Sequence, residues 1–176
     1  IAIGDVHGQW AQLWRVLKAA AACDASLEPT PALVEGRYQV VCVGDLVHYK
    51  DERAYAQAVG EDRYDPANED HLRRAAKAQI RELYRFKRFV DHAEGNATII
   101  LGNHDEVALD HGYELATRGG LRHVEFDPCK GGVELPEDLR GWFQSFPREK
   151  VFFGVHFSHA GPLPGMQQYD DFFYHD

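Results

Sequence analysis

Short apolar runs alternate along this chain with stretches of helical periodicity, the pattern of strand–helix–strand units around a largely buried sheet. Ile1 to Ile3 reads as the end of a strand, and the loop at Asp5 leads into a helix with Trp10, Leu13, Trp14 and Leu17 on one face. Ser26 to Tyr38 carries the Pro and Gly of a loop or hairpin, and Tyr38 to Val43 is the next strand. From about Asn68 to His92 the segment is helical by composition, with Leu72, Ala76, Ile80, Leu83 and Val90 on one side; Gly95 and Asn96 stop it. Ala97 to Leu101 is a further strand. The chain is then less regular as far as Pro136, where a helical turn buries Leu139, Trp142, Phe143 and Phe146. Val151 to Phe157 is the last clear strand, and no repeat or low-complexity segment suggests a solenoid or a disordered tail.

Chemistry gathers where the strands end. GDVHG at Gly4 to Gly8, GDLVH at Gly44 to His48, GNHD at Gly102 to Asp105 and SHAG at Ser158 to Gly161 each set Asp, Asn or His beside a glycine just after an apolar run. Each presents metal-type ligands at the carboxyl end of a buried strand. Asp5 and His7 can face one concave site once the strand breaks at Val6. The two oxygens of Asp45 can hold two cations at once, which suits a bridging ligand, while Asn103 offers an amide oxygen and His159 an imidazole nitrogen, both ordinary partners for a borderline divalent ion. Two ions about 3.5–4 Å apart activate a water and neutralise charge on a phosphoryl group. A lone Gly-Asp pair is usually only a turn, and a lone His159 is more often a hydrogen-bonded loop residue. Four such ends in order favour a metal site.

Composition limits what that site belongs to. At 176 residues and 44% apolar the chain suits one globular domain, and its net charge of -9 argues against broad binding to polymeric nucleic acid or to an anionic membrane surface. The basic cluster between Arg73 and Arg88 is mixed with Glu82 and Asp91 and reads as a solvated helix face. Cys23, Cys42 and Cys129 lack a CxxC pairing, which suits free thiols in a reducing compartment. No apolar stretch approaches the roughly 20 residues of a membrane span. A cytoplasmic location is expected, with an upstream signal left open because the chain opens on Ile1, inside what reads as a clipped strand.

The four motifs resemble the series of the calcineurin-like metallophosphoesterase superfamily, with GDVHG and HAG nearest its phosphoprotein-phosphatase and diadenosine-tetraphosphatase branch. The resemblance runs to about Gly161. It implies an α/β fold, a four-layer α/β/β/α sandwich flanked by helices, formed here by one domain over residues 1–176 and incomplete at both ends. It also implies two divalent metal ions: Asp5 and His7 on the first, Asp45 bridging, Asn103 and His159 on the second. Manganese is the favoured ion, with iron, zinc or nickel as alternatives. His104 is then the proton donor to the leaving oxygen, an imidazole tuned near neutral pH.

Two departures stand out. Where that branch continues the second motif with Asp, Arg and Gly, this chain has His48, Tyr49 and Lys50. His48 lacks the charge that orients the catalytic histidine, and Tyr49 lacks the planar fork that grips phosphate. Lys50 or Arg53 is expected to bind phosphate instead, and Asp51, Glu52 or Asp105 to orient His104. The alternative is that His48, Tyr49 and Lys50 are surface loop residues. The family's final ligand histidine is also missing: His156 should face away from His159, and His175 sits near the end. Trp10 and Trp14 read as core and not as a base-stacking platform, and the acidic close YDDFFYHD reads as packing.

The expectation is a phosphoesterase that attacks phosphomonoesters, protein-bound or small, with a metal-bridged hydroxide and no covalent phosphoenzyme. A dinucleotide polyphosphate hydrolase is the enzymatic rival, and a catalytically impaired scaffold the rival of another class. An enzyme should show an open polar cleft around Asp45; a scaffold should show an exposed apolar patch. Oligomeric state is not readable.

Overall fold

Three parallel strands carry the ligand-bearing loops in a computed structural model that describes residues 1–110, 115–116 and 120–160. Strands β1 (Ala2–Ile3), β2 (Val40–Cys42) and β3 (Ala97–Ile99) lie in the order β1-β2-β3. Their register places Ile3 opposite Cys42 and Cys42 opposite Ile99, so all three strands end in one row. The central strand, Val40-Val41-Cys42, is wholly buried, as a parallel strand covered on both faces must be.

Helices supply the crossovers. Between β1 and β2 run α1 (Trp10–Ala19) and the short α2 (Pro31–Val34); between β2 and β3 run α3 (Glu52–Val59) and the long α4 (Glu69–His92). Asn68 caps α4 by accepting hydrogen bonds from the amides of Asp70 (2.9 Å) and His71 (3.4 Å), and Glu69 and Asp70 add favourable charge to its first turn. Asp51 caps α3 through the Ala54 amide at 2.8 Å, and Gly60 ends it in the left-handed conformation. Beyond β3 come α5 (Asn103–Val107), an antiparallel pair β4 (Leu115–Ala116) and β5 (Arg122–His123), a 3₁₀ turn (Pro128–Lys130) and α6 (Glu137–Gln144). A hairpin of β6 (Glu149–Phe152) and β7 (Val155–Ser158) follows.

The main core joins α1, α4 and α6 to the sheet. Trp14 meets Phe86 and Phe89 edge-on, each with ring centroids 5.8 Å apart, and Leu17, Leu83, Phe86, Phe89, Leu139 and Phe143 are buried with it. Each such side chain contributes roughly 1.5–3 kcal/mol through its removal from water. The expected inward residues of α1 and α6 are therefore core, Trp10 and Trp14 included. A smaller cluster of Tyr49, Tyr55, Val59, Tyr64, Leu72 and Val124 packs beside it.

Four expectations change. Val151 to Phe157 is not one strand: Phe153 (φ 50°) and Gly154 (φ 76°) turn left-handed and fold the run into the β6–β7 hairpin, the two-residue turn that matches strand twist. Helix α3 lies where no helix was expected, and Ser26 to Tyr38 holds α2 instead of a hairpin. The buried face of α4 is Leu72, Ala75, Ala76, Gln79, Leu83, Phe86 and Phe89, with Ile80 and Val90 at its margin. Its basic residues pair with acids on the opposite side: Arg73 with Glu69 (3.1 Å), Arg74 with Asp70 (2.9 Å), Arg85 with Glu82 (2.7 Å) and Lys87 with Asp91 (2.6 Å). Among the described residues no helix is long and apolar enough to cross a membrane. Cys23, Cys42 and Cys129 are all free thiols.

Candidate active site

Because the three parallel strands end in one row, the loops after Ile3, Cys42 and Leu101 meet. The amides of Val6 and His7 donate to the Asp45 carbonyl (3.1 and 2.6 Å), and the Gly8 amide donates to Leu46 (3.1 Å). Gly44 (φ 99°) runs directly against the third loop: a Cβ there would lie 2.6 Å from Gly102 N and 2.7 Å from Ile100 O. A Cβ on Gly102 would in turn strike the backbone and carboxylate of Asp45. Only glycine allows this crossing. His7 (φ 42°), Asp45 (φ 50°) and His48 (φ 64°) all occupy the left-handed region, at about 1–3 kcal/mol each for non-glycine residues. Three strained residues in one place mark a site whose geometry is imposed by its surroundings.

Asp105 fastens two of the loops. It is fully buried on α5; its Oδ1 accepts from the Leu46 amide at 2.7 Å and its Oδ2 from the Gly102 amide at 3.2 Å. Burial, followed by the charge of Asp45, holds its pKa well above the usual carboxylate range. It is thus occupied with backbone and does not reach for His104. Asp51 is likewise spent on capping α3.

The five expected ligands come together. Asp45 is buried, and its Oδ1 accepts from the His104 amide at 2.9 Å. That leaves Oδ2, which lies 3.3 Å from His7 Nε2 and 3.5 Å from His159 Nε2. The two-oxygen bridge expected from sequence is therefore narrowed to one oxygen between two imidazoles. Asp5, half-exposed, places its carboxylate 3.9 Å from His7 Nε2 and 4.0 Å from His159 Nδ1. Asn103 Oδ1 lies 2.9 Å from His159 Nε2.

The proton positions test whether this set suits a cation. His7 Nδ1 is 3.1 Å from the His48 carbonyl and His159 Nδ1 is 2.6 Å from the Val43 carbonyl. A carbonyl only accepts, so each Nδ1 carries a proton, and with that single proton each ring turns a bare Nε2 toward Asp45. Burial pushes the His7 pKa below its ordinary value and the Asp45 pKa above its own, which works against an ion pair between them. Lone pairs facing lone pairs repel unless a cation joins them, and a backbone carbonyl behind each imidazole is the usual support of a metal-bound histidine. Lys50 Nζ sits 3.0 Å from His7 Nε2, a positive charge already on that lone pair. The donor set fits divalent metal. Among the described residues, the His, Cys, Asp and Glu ligand atoms that all fall within 4.8 Å of one another are those of His7, Asp45 and His104, a group without Asp5 and His159, so His104 borders the same space.

Around His104 the altered second motif becomes legible. His48 and Tyr49 are buried, not surface residues; only Lys50 is exposed. His48 Nδ1 lies 3.0 Å from His104 Nδ1, so a histidine faces His104 from the position where the resemblance implies Asp. Burial, and then the nearby His7 and His123, push the His104 pKa down to about 2, so the ring is neutral at pH 7 and not poised near neutrality as expected. His48, fully enclosed, is held well below its ordinary value, first by burial and then by His123.

A buried polar ring absent from the sequence reading surrounds His48. Its amide donates to Gln79 Oε1 at 2.7 Å, Gln79 Nε2 donates to Glu125 Oε1 at 2.7 Å, and Tyr55 donates to the same oxygen at 2.6 Å. His123 Nδ1 lies 2.9 Å from the Tyr55 oxygen, and its ring stacks on His48 at 5.0 Å and 16°. One signal for this was available: Gln79 sits on the apolar stripe of α4, in step with Leu72, Ala75, Ala76 and Leu83. Glu125 and His123 gave none.

A depression of about 500 Å³ lined by Gly4, Asp5, Val6, His7, Gln9, Lys50 and Asp51 opens beside the ligands. This cleft adjoins Asp5 and His7, but Asp45, around which a polar cleft was expected, is not part of its lining. Arg53 is not brought there; it lines a separate depression with Glu52, Glu61, Asp62 and Arg63. His156 turns away to Glu149 at 2.7 Å, while His175 and the acidic close lie outside the described residues. No curated protein and no solved structure matches the chain. A family model does, from the first residue to the last, and the chain belongs to the calcineurin-like phosphoesterases over residues 1–176.

Proposed function

We propose that this phosphoesterase hydrolyses phosphomonoesters, on a protein or a small molecule, with two divalent ions of which manganese is the favoured pair. The observation that carries the reading is Asp45 Oδ2 between His7 Nε2 and His159 Nε2, at 3.3 and 3.5 Å, with both rings backed by backbone carbonyls. Asp5, His7 and Asp45 would hold one ion and Asp45, Asn103 and His159 the other. When bound, such ions activate water and neutralise charge on the phosphoryl oxygens.

The chain's own residues do the rest. Lys50, at the wall of the cleft, is displaced from His7 when that nitrogen binds an ion and is then free to meet a phosphate oxygen. His104, neutral in the free molecule, takes a proton as the negative phosphate arrives and returns it to the leaving oxygen. The motifs GDVHG and HAG favour the phosphoprotein-phosphatase and diadenosine-tetraphosphatase branch, with one domain, a four-layer α/β/β/α sandwich, and free thiols suited to the cytoplasm.

The test is hydrolysis of p-nitrophenyl phosphate across a manganese titration, with Asp45→Asn as the paired control. Wild type should show saturable metal-dependent turnover, and the variant should lose at least about 100-fold of it, since a neutral amide removes charge shared by both ions. Equal activity in the two proteins would end the dinuclear reading.

A further inference from the structure

Glu125 is the buried group that the mechanism so far leaves unused. It is wholly enclosed, and its Oε2 has no hydrogen-bond partner, while Oε1 accepts from both Tyr55 and Gln79. A buried carboxylate is costly unless its surroundings require it there. Two arms leave Oε1 and close on one residue. Through Gln79 the carboxylate fixes the direction of an amide whose oxygen accepts from the His48 backbone at 2.7 Å, holding that residue in its left-handed conformation. Through Tyr55 it fixes His123: the tyrosine proton goes to Glu125, so the phenol oxygen accepts from His123 Nδ1–H at 2.9 Å. The His123 ring then lies flat on His48, 5.0 Å away, and edge-on to His104, 5.1 Å away. His48 in turn meets His104 at 3.0 Å between their Nδ1 atoms.

We infer that Glu125, acting through Gln79 on one side and Tyr55 and His123 on the other, positions His104 by clamping His48, and so replaces at a distance the carboxylate that the resembling phosphatases place at the His48 position. Glu125, Gln79, Tyr55 and His123 are positioning residues; none reaches the cleft. The inference rests on His104 as proton donor. With Nδ1–H on one of the two facing histidines and a bare Nδ1 on the other, the clamp selects which nitrogen of His104 is turned to the substrate, a task that a charged neighbour performs directly elsewhere.

The test uses Tyr55→Phe, which removes one hydroxyl and keeps the packing, and Glu125→Gln, which replaces the carboxyl group with an amide. Tyr64→Phe is the control, because its hydroxyl is equally buried without a partner and its ring stacks on Tyr55 at 4.3 Å. Ring-nitrogen NMR of the histidines is read on the metal-free chain. Turnover of phenyl phosphate and p-nitrophenyl phosphate is read with manganese, because the poorer leaving group depends more on proton donation. Tyr55→Phe and Glu125→Gln should shift the His48 and His104 ring signals, and should slow phenyl phosphate about tenfold more than p-nitrophenyl phosphate. Tyr64→Phe should do neither. Unmoved His48 and His104 signals in Tyr55→Phe would overturn the inference, whether or not Glu125→Gln folds. Moved signals with an unchanged ratio between the two substrates would reduce the ring to packing and overturn it equally. A wild-type chain without metal-dependent turnover is a separate failure, of the phosphoesterase reading itself, and leaves the NMR result to decide whether the clamp exists.

Discussion

His104, the proton donor of the proposed mechanism, is neutral in the free molecule and would have to gain its proton as the substrate arrives. Its ring is crowded by His7, His48 and His123, and burial holds its pKa down at about 2. His104→Asn should lower kcat by about 10²–10⁴ and leave the bound metal per chain unchanged by elemental analysis. Loss of metal with turnover would make His104 a ligand, the alternative that its closeness to His7 and Asp45 raises. That these residues gather was legible because each lies in a short glycine-containing motif at a strand end: Asp5, His7, Asp45, Asn103, His104 and His159 needed only the order of motifs. Glu125 was not legible, since its partners Tyr55 and Gln79 lie 70 and 46 positions away and a lone acid between Val124 and Phe126 has no local signature.

The elements explain why those six residues converge. The parallel register aligns the strand ends, and the crossing of Gly44 against Gly102 lets the loops touch. Gly44→Ala combines a positive φ with backbone collision and should lower unfolding free energy by more than about 2 kcal/mol in denaturant titration. Asn68→Ala, which only uncaps α4, should cost about 1 kcal/mol in the same measurement. Helix α4 was legible from periodicity, and the strands from their β-branched runs. Helix α3 was missed although Asp51 and Gly60 bracket it, because the inward residues Tyr55, Ala56 and Val59 make too short a stripe to stand out. The final strand was misread because VFFGVHF is apolar apart from Gly154 and His156, and of the two positive φ angles at its centre only the one at Gly154 is signalled by the residue type.

At the scale of the molecule, stability and the site share the same buried histidines. Burial first, then His7 and Lys50, push the His123 pKa down to about 4, below the 6.5 of an exposed ring. The sign follows: its contribution is complete above pH 6.5 and is lost as the pH falls toward 4, because the unfolded chain binds the proton first. Between those limits the metal-free wild type should lose about 1.4 kcal/mol per pH unit relative to His123→Gln, read from denaturation at pH 7 and pH 5. The buried acids act in the opposite direction in both proteins and cancel in the comparison. A last consequence comes from the β6–β7 hairpin, whose apolar tip leaves Phe153 92% exposed. It is tied at its root where the Leu101 amide donates to Pro147, at 2.9 Å, and at its far end by His159 on Val43. Asp5, His7 and Asp45 grow from the rigid sheet, but His159 rides on this arm. On the proposed two-ion reading, ion occupancy would act as a mechanical latch: manganese should slow amide hydrogen exchange across 149–158, chelation should restore it, and the two ions should load unequally, the one held by the arm being the first to leave.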